Sequence, residues 1–232
     1  MYPTPGAPPK LRILVTAFGA FPGAPSNPTL SIIARLGKSR RAALFDVEIV
    51  TRALPVVYAG ALIRLARLIG DIQPDAIVHL GLAGRRKAMS VESRALNRLG
   101  PLRQDAARQT PESNRIRPGG RDALKARWPA VRLATVLKGA GAGAQLSIDA
   151  GDYVCNQTLY LSLELSGVPT GFIHIPRPRP RRPEWRMGAA AHLPTLAQMT
   201  GAVEAAALAM AAHARRTSRL RAQCGSNIVH GS

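Results

Sequence analysis

Cys155 stands in the stretch Asp149-Ala-Gly-Asp-Tyr-Val-Cys-Asn-Gln-Thr158. A glycine-containing turn there leads into a helical pattern, and the cysteine falls in the helix's first turn. Free amides and the positive end of the helix dipole stabilise a thiolate at that position, which suits a nucleophile. Taken alone, a cysteine at such a junction is more often a small buried residue. A thiol nucleophile needs an acid/base partner. Of the histidines at 79, 174, 192, 213 and 230, His174 stands apart. It lies near the carboxyl end of a strand pattern, Gly171-Phe-Ile-His-Ile175, directly before a Pro/Arg-rich segment. Active sites of open α/β sheets gather at such ends. His79 reads as a satisfied core residue within a buried strand, His213 as an exposed helix-flank residue, His192 as a loop neighbour and His230 as part of the tail. The imidazole needs an orienting acid. Glu92, in Ser90-Val-Glu-Ser-Arg-Ala-Leu-Asn97, is the candidate. The competing reading is a solvated strand-end carboxylate paired with Arg94.

The elements that must position these residues alternate. Residues 10–16, 46–54, 76–80, 144–147 and 170–175 read as strands, and 89–96 as a further strand or extended segment. Helices are expected from Asn27-Pro28 to about Leu36, over 58–72, 131–137, 155–165 and 194–216. Residues 100–127 read as a long loop or flap, and 176–183 as irregular. The fold class is therefore α/β, with helices on both faces of a sheet. Residues 1–10 are Pro-rich and expected to be disordered, 11–216 to form one domain, and 217–232 to form a polar tail.

Length and composition narrow the classes. The chain has 232 residues, 46% of them hydrophobic, enough for a sizeable core. It carries two cysteines, too few for a disulfide framework or a zinc cluster, and no secretory or membrane-spanning pattern. A cytoplasmic protein without metal or cofactor is expected. Thirty-two Lys and Arg against thirteen Asp and Glu give a net charge of +19. The arginines are spread along the chain, aromatic residues are scarce, and no nucleic-acid-binding motif accompanies them. Solvated basic faces are the expectation, with no specific nucleic acid and no membrane as partner.

Four segments together resemble the pyroglutamyl peptidase I (pyrrolidone-carboxylate peptidase) family of cysteine peptidases, family C15. They are Ile13-Leu-Val-Thr-Ala-Phe-Gly-Ala-Phe-Pro22 with Asn27-Pro28; Pro74-Asp75 with Gly81-Leu-Ala-Gly-Arg85; Val91-Glu92 with Asn97; and Gly151-Asp-Tyr-Val-Cys-Asn156 followed by Gly171-Phe-Ile-His-Ile-Pro176. The last pair is the most specific. The resemblance implies a three-layer α/β/α sandwich of the phosphorylase/hydrolase type with a mixed central sheet, often assembled into dimers or tetramers. It implies hydrolysis of an N-terminal pyroglutamyl residue from peptides, with Cys155 as nucleophile, His174 as base and Glu92 as orienting acid. Phe18 and Phe21 match pocket aromatics, and Leu82 stands where the family has Gln. Ala17 and Ala20 replace Gly and Pro beside Phe18. Arg177 to Arg182 replace the usual segment after the histidine and are expected on the leaving-group side. Two alternatives accompany this reading: the same triad acting on another N-blocked peptide or small amide, and an inactive basic binding module on the same scaffold.

Overall fold

A computed structural model describes residues 10–21, 24–180 and 192–228. Its main sheet has the order β2-β1-β3-β8-β4-β7. The strands are β1 (Leu11–Phe18), β2 (Val47–Leu54), β3 (Ala76–Leu82), β4 (Met89–Glu92), β7 (Ala144–Ser147) and β8 (Thr170–Ile175). All neighbours run parallel except β4 and β8, which are antiparallel, so the sheet is mixed. A small antiparallel pair, β5 (Arg94–Leu96) and β6 (Ala123–Lys125), stands beside it.

Among the described residues five α-helices cover the sheet: α1 (Pro28–Leu36), α2 (Ala61–Ile72), α3 (Ala130–Gly139), α4 (Val154–Leu165) and α5 (Leu196–Ile228). Helices α1, α3 and α5 pack together on one face, and α2 and α4 on the other. The continuous apolar run Ile13-Leu-Val15 is wholly buried because β1 is covered on both faces. Asn27 caps α1 by accepting hydrogen bonds from the Thr29 amide (3.2 Å) and hydroxyl (2.8 Å), with Pro28 at the first turn.

Side-chain alternation divides β3, β4 and β8 between the two layers. Val78, Leu80, Met89, Val91, Ile173 and Ile175 join the core under α1, α3 and α5. Phe172 points into the other layer, with Leu159, Tyr160 and Leu163 of α4. In register, His79 and Gly81 of β3 lie beside Phe172 and His174 of β8, and Glu92 of β4 lies opposite Phe172. All five residues therefore share the α4 face of the sheet. Gly171 points the other way and is required there. A Cβ on it would fall 2.0 Å from the Trp128 indole.

Three expectations are corrected. The segment 89–96 is two strands, β4 and β5, which leave different neighbours on either side of Ser93. The expected loop over 100–127 contains β6, whose pairing with β5 no local pattern announces. The expected polar tail from 217 is helical, because α5 continues to Ile228. A polar composition does not exclude a helix, because Arg, Ala and Gln are good helix formers whatever they face. Residues 1–9, expected to be disordered, and the part of the Pro/Arg-rich segment beyond 180 lie outside the described residues; residues 176–180 form no regular element.

Candidate active site

The carboxyl ends of β1, β3 and β8 and the start of α4 converge on one cavity of about 130 Å³. Phe18, Phe21, Leu82, Cys155 and His174 all line it, together with Asn27, Val56, Arg103, Ala150, Gly151, Tyr153 and Val154. No carboxylate is among these residues. An apolar cavity of roughly 150 Å³ accommodates a benzene ring, so this one is sized for a single small ring.

Glu92 lies behind His174 rather than on the cavity wall. The His174 Nδ1–Glu92 Oε1 distance is 2.8 Å, and the same oxygen accepts from Arg86 Nη1 at 2.7 Å. Glu92 is fully buried and His174 nearly so. With Nδ1 engaged by the carboxylate, Nε2 is the ring nitrogen left for the cavity. The Trp128 indole donates to the Glu92 carbonyl at 3.1 Å, fixing the end of β4. Glu92 is thus neither solvated nor paired with Arg94, whose Nε donates to the Ile148 carbonyl instead. Its cation is Arg86, from the loop between β3 and β4.

Cys155 is placed by α4. Gly151 takes φ +89°, which turns the chain, and Tyr153 precedes the helix in an extended conformation. The first helical bond from this end runs from the Gln157 amide to the Tyr153 carbonyl at 3.1 Å. The Val154, Cys155 and Asn156 amides therefore have no partner within the helix. Asn156 ties the helix start to β5 through bonds to the Leu96 amide and carbonyl and the Arg98 carbonyl. The sulfur sits over Gly81, where an added Cβ would come within 2.9 Å of it and 2.7 Å of the Phe172 ring. Gly81 pairs in register with His174, so the thiol and the imidazole stand over neighbouring strands.

The thiol is not lowered as its helix position suggests. Burial first, and the Glu92 charge second, push it up to about 12, against the opposing influence of Arg103, its own backbone amide and Arg86. In the resting cavity the sulfur holds its proton, and ionisation requires a base beside it. His79 is a core residue. Its Nδ1 meets the Thr16 hydroxyl at 2.7 Å and its Nε2 the Ser162 hydroxyl at 2.9 Å, and burial lowers its pKa to about 3. His213 is half-buried on α5, His192 is exposed, and His230 lies outside the described residues.

The cavity's arginine is Arg103, not Arg177. Arg103 Nη1 pairs with Asp152 at 2.7 Å, and its guanidinium lies 5.0 Å from the Tyr153 ring centroid. The Tyr153 hydroxyl donates to the Gln104 carbonyl at 2.9 Å, closing the wall. The Arg177 guanidinium packs against Gly84 in the β3–β4 loop; Arg181 and Arg182 lie outside the described residues. Arg103 and Trp128 carry no sequence signal because they reach the site from loops far along the chain, and Arg86, six residues before Glu92, lies in the basic run Arg85-Arg-Lys87, which reads as solvated charge. Tyr153 was visible two residues before the cysteine.

The pyroglutamyl peptidase family profile matches residues 11–215. The chain belongs to the pyroglutamyl peptidase family. It is 34% identical over 167 residues to a pyrrolidone-carboxylate peptidase of Pseudomonas fluorescens, covering 71% of this chain and 78% of that one. It is 35% identical over 171 residues to that of Pyrococcus furiosus, covering 72% and 81%. The fold superimposes on pyroglutamyl peptidase I of Bacillus amyloliquefaciens with a TM-score of 0.75 at 29% identity, over 88% of this chain and 98% of that one. For the pyrrolidone carboxyl peptidase of Thermus thermophilus the TM-score is 0.72 at 31% identity, over 84% and 97%. The mixed sheet and its two helical layers are those of the family, and the chain is a cysteine peptidase by membership.

Proposed function

We propose that the chain removes an N-terminal pyroglutamyl residue from peptides, with Cys155 as nucleophile, His174 as acid/base and Glu92 as the orienting carboxylate. One observation carries the reading: a cysteine in a helix's first turn shares a small, carboxylate-free cavity with a histidine whose far nitrogen is held by a buried acid.

The substrate fits that cavity by its chemistry. A pyroglutamyl residue is a flat, neutral lactam with no ammonium, so it needs apolar walls and no acidic anchor. Phe18, Phe21 and Leu82 supply walls. His174 Nε2 takes the thiol proton as Cys155 Sγ attacks the carbonyl carbon that joins the lactam residue to the next one. The tetrahedral oxyanion is met by the Cys155 amide, which has no partner within the helix. The C–N bond then breaks, the imidazolium gives its proton to the departing amine, and a thioester remains. A water molecule, deprotonated by His174, attacks the thioester, and pyroglutamate and the free thiol are released. Glu92 balances the imidazolium in a place water does not reach, and the Arg86 guanidinium holds the Glu92 carboxylate in position.

Residues 11–216 act as one peptidase unit in this reading, on free peptides in the cytoplasm, and assembly into dimers or tetramers follows the family resemblance. Release of a fluorophore from a pyroglutamyl amide tests it. Cys155→Ser is expected to lower the rate by several orders of magnitude, and the matching prolyl and N-acetyl amides to be poor substrates. Unchanged turnover in the serine variant would sink the assignment of the nucleophile. Faster hydrolysis of the N-acetyl amide would move the substrate class to other blocked peptides.

A further inference from the structure

At the amino ends of the parallel strands the chain builds a different surface. The Leu11 amide of β1 bonds the Asp46 carbonyl at 3.0 Å, so the 3₁₀ turn Ala42–Phe45 sits at that end of the sheet. Helix α5 is fastened to the same turn through Arg215. Arg215 Nη2 donates to the Phe45 carbonyl at 2.7 Å and the Asp46 carbonyl at 3.3 Å. The tip of the turn is apolar and open, with Leu44 82% and Phe45 51% exposed.

Cations surround that tip. Lys38, Arg40 and Arg41 precede it and are exposed, Lys10 lies alongside at the start of β1, and Arg219 follows Arg215 one turn further along α5. The acids nearby are Asp46, Glu48, Asp75 and Glu204, and Asp75 accepts from the Arg12 amide at 2.8 Å. Glu48 is matched by Arg12 at 3.5 Å, and Glu204 faces Arg41 at 3.9 Å and accepts from the Ser39 hydroxyl. The patch therefore remains basic, in a chain of net charge +19. The candidate active site lies at the other end of β1, on the order of 20 Å away for a strand of this length.

We propose that this pole docks on an anionic phospholipid bilayer, with Leu44 and Phe45 entering the headgroup boundary and the surrounding Lys and Arg meeting lipid phosphates. An apolar tip ringed by cations is the pairing that an anionic bilayer surface satisfies in full. A nucleic acid would engage the cations but leave Leu44 without a partner. A second copy would bring like charges face to face. Docked in this way, the cavity of Cys155 faces away from the membrane and stays open to peptides. Among the described residues no helix is long and apolar enough to cross a membrane, so the association is at the surface.

Vesicle sedimentation of the full chain tests this, with phosphatidylcholine alone and phosphatidylcholine mixed with phosphatidylglycerol. Binding is expected to the mixed vesicles only, and to weaken at high salt. The double variant Leu44→Ser/Phe45→Ser is expected to bind them about tenfold less well, having lost its apolar insertion. Arg40→Glu/Arg219→Glu is expected to lose binding altogether. Hydrolysis of the pyroglutamyl amide should be unchanged in both, which shows that they are folded and separates this proposal from that of the active site. Absence of vesicle binding, or equal binding by the Leu44→Ser/Phe45→Ser variant, overturns the proposal. So does duplex DNA that displaces the protein from vesicles without regard to Leu44 and Phe45, or a change of oligomeric state as the sole effect of the substitutions.

Discussion

Glu92 binds both His174 and Arg86 through one carboxylate oxygen, while the other has no partner among the described residues. A buried charge with so few contacts depends on each of them. Glu92→Gln keeps the volume and removes the charge that balances an imidazolium. It is expected to lower kcat by about 10²–10⁴-fold with little change in KM, by analogy with orienting carboxylates elsewhere; steady-state kinetics on the pyroglutamyl amide checks this. Cys155 gives a second test. Because burial pushes its thiol up to about 12, in the proposed mechanism the sulfur ionises near neutral pH by passing its proton to His174. Alkylation of Cys155 by iodoacetamide, mapped by mass, should be readily measurable at neutral pH in the native protein. In His174→Ala it should become slow and rise steadily toward alkaline pH. Equal profiles in the two proteins would mean that the imidazole does not serve the thiol.

Two devices hold the elements that carry these residues. His79 joins β1, β3 and α4 through Thr16 and Ser162. Its pKa is lowered from 6.5 to about 3 by burial, so the unfolded chain takes up this proton first as the pH falls. The stability contributed by neutral His79 is complete above about pH 6.5 and declines toward pH 3, at about 1.4 kcal/mol per pH unit. Urea unfolding across that range should show this slope, and His79→Gln should flatten it by one proton. The second device is the close contact of Gly171 with Trp128. Gly171→Ala must push the indole aside, at about 1–3 kcal/mol by comparison with other overpacked cores. Trp128 holds the Glu92 carbonyl, so kcat should fall along with the melting temperature. A stable, fully active alanine variant would show that Trp128 does not position Glu92.

Across the whole molecule the charge is lopsided, at +19. Self-repulsion of that kind opposes the compact state and is screened by salt. The melting temperature should therefore rise as sodium chloride is added from low to moderate concentration, as followed by circular dichroism. A fall instead would mean that ion pairs such as Arg98–Asp149 and Arg103–Asp152 outweigh the net repulsion.

The order of strands and helices was legible in the chain, because buried parallel strands read as continuous apolar runs and helices as a repeating apolar face. The placement of Cys155 at a helix start and of His174 and Glu92 at strand ends was legible too, since these are local features. Polarity misled in the last part of α5, where a polar stretch resembled the absence of structure. What local pattern could not hold was decided by tertiary packing. The antiparallel entry of β4 beside β8 brings Glu92 behind His174. The β3–β4 loop folds Arg86 back onto Glu92 six residues away, and a loop far from Cys155 in sequence delivers Arg103 to the cavity. The state of the thiol also belongs to the fold: a helix amide favours the thiolate, but burial among Phe172, Gly81 and the cavity walls outweighs it, and only the folded chain sets that balance.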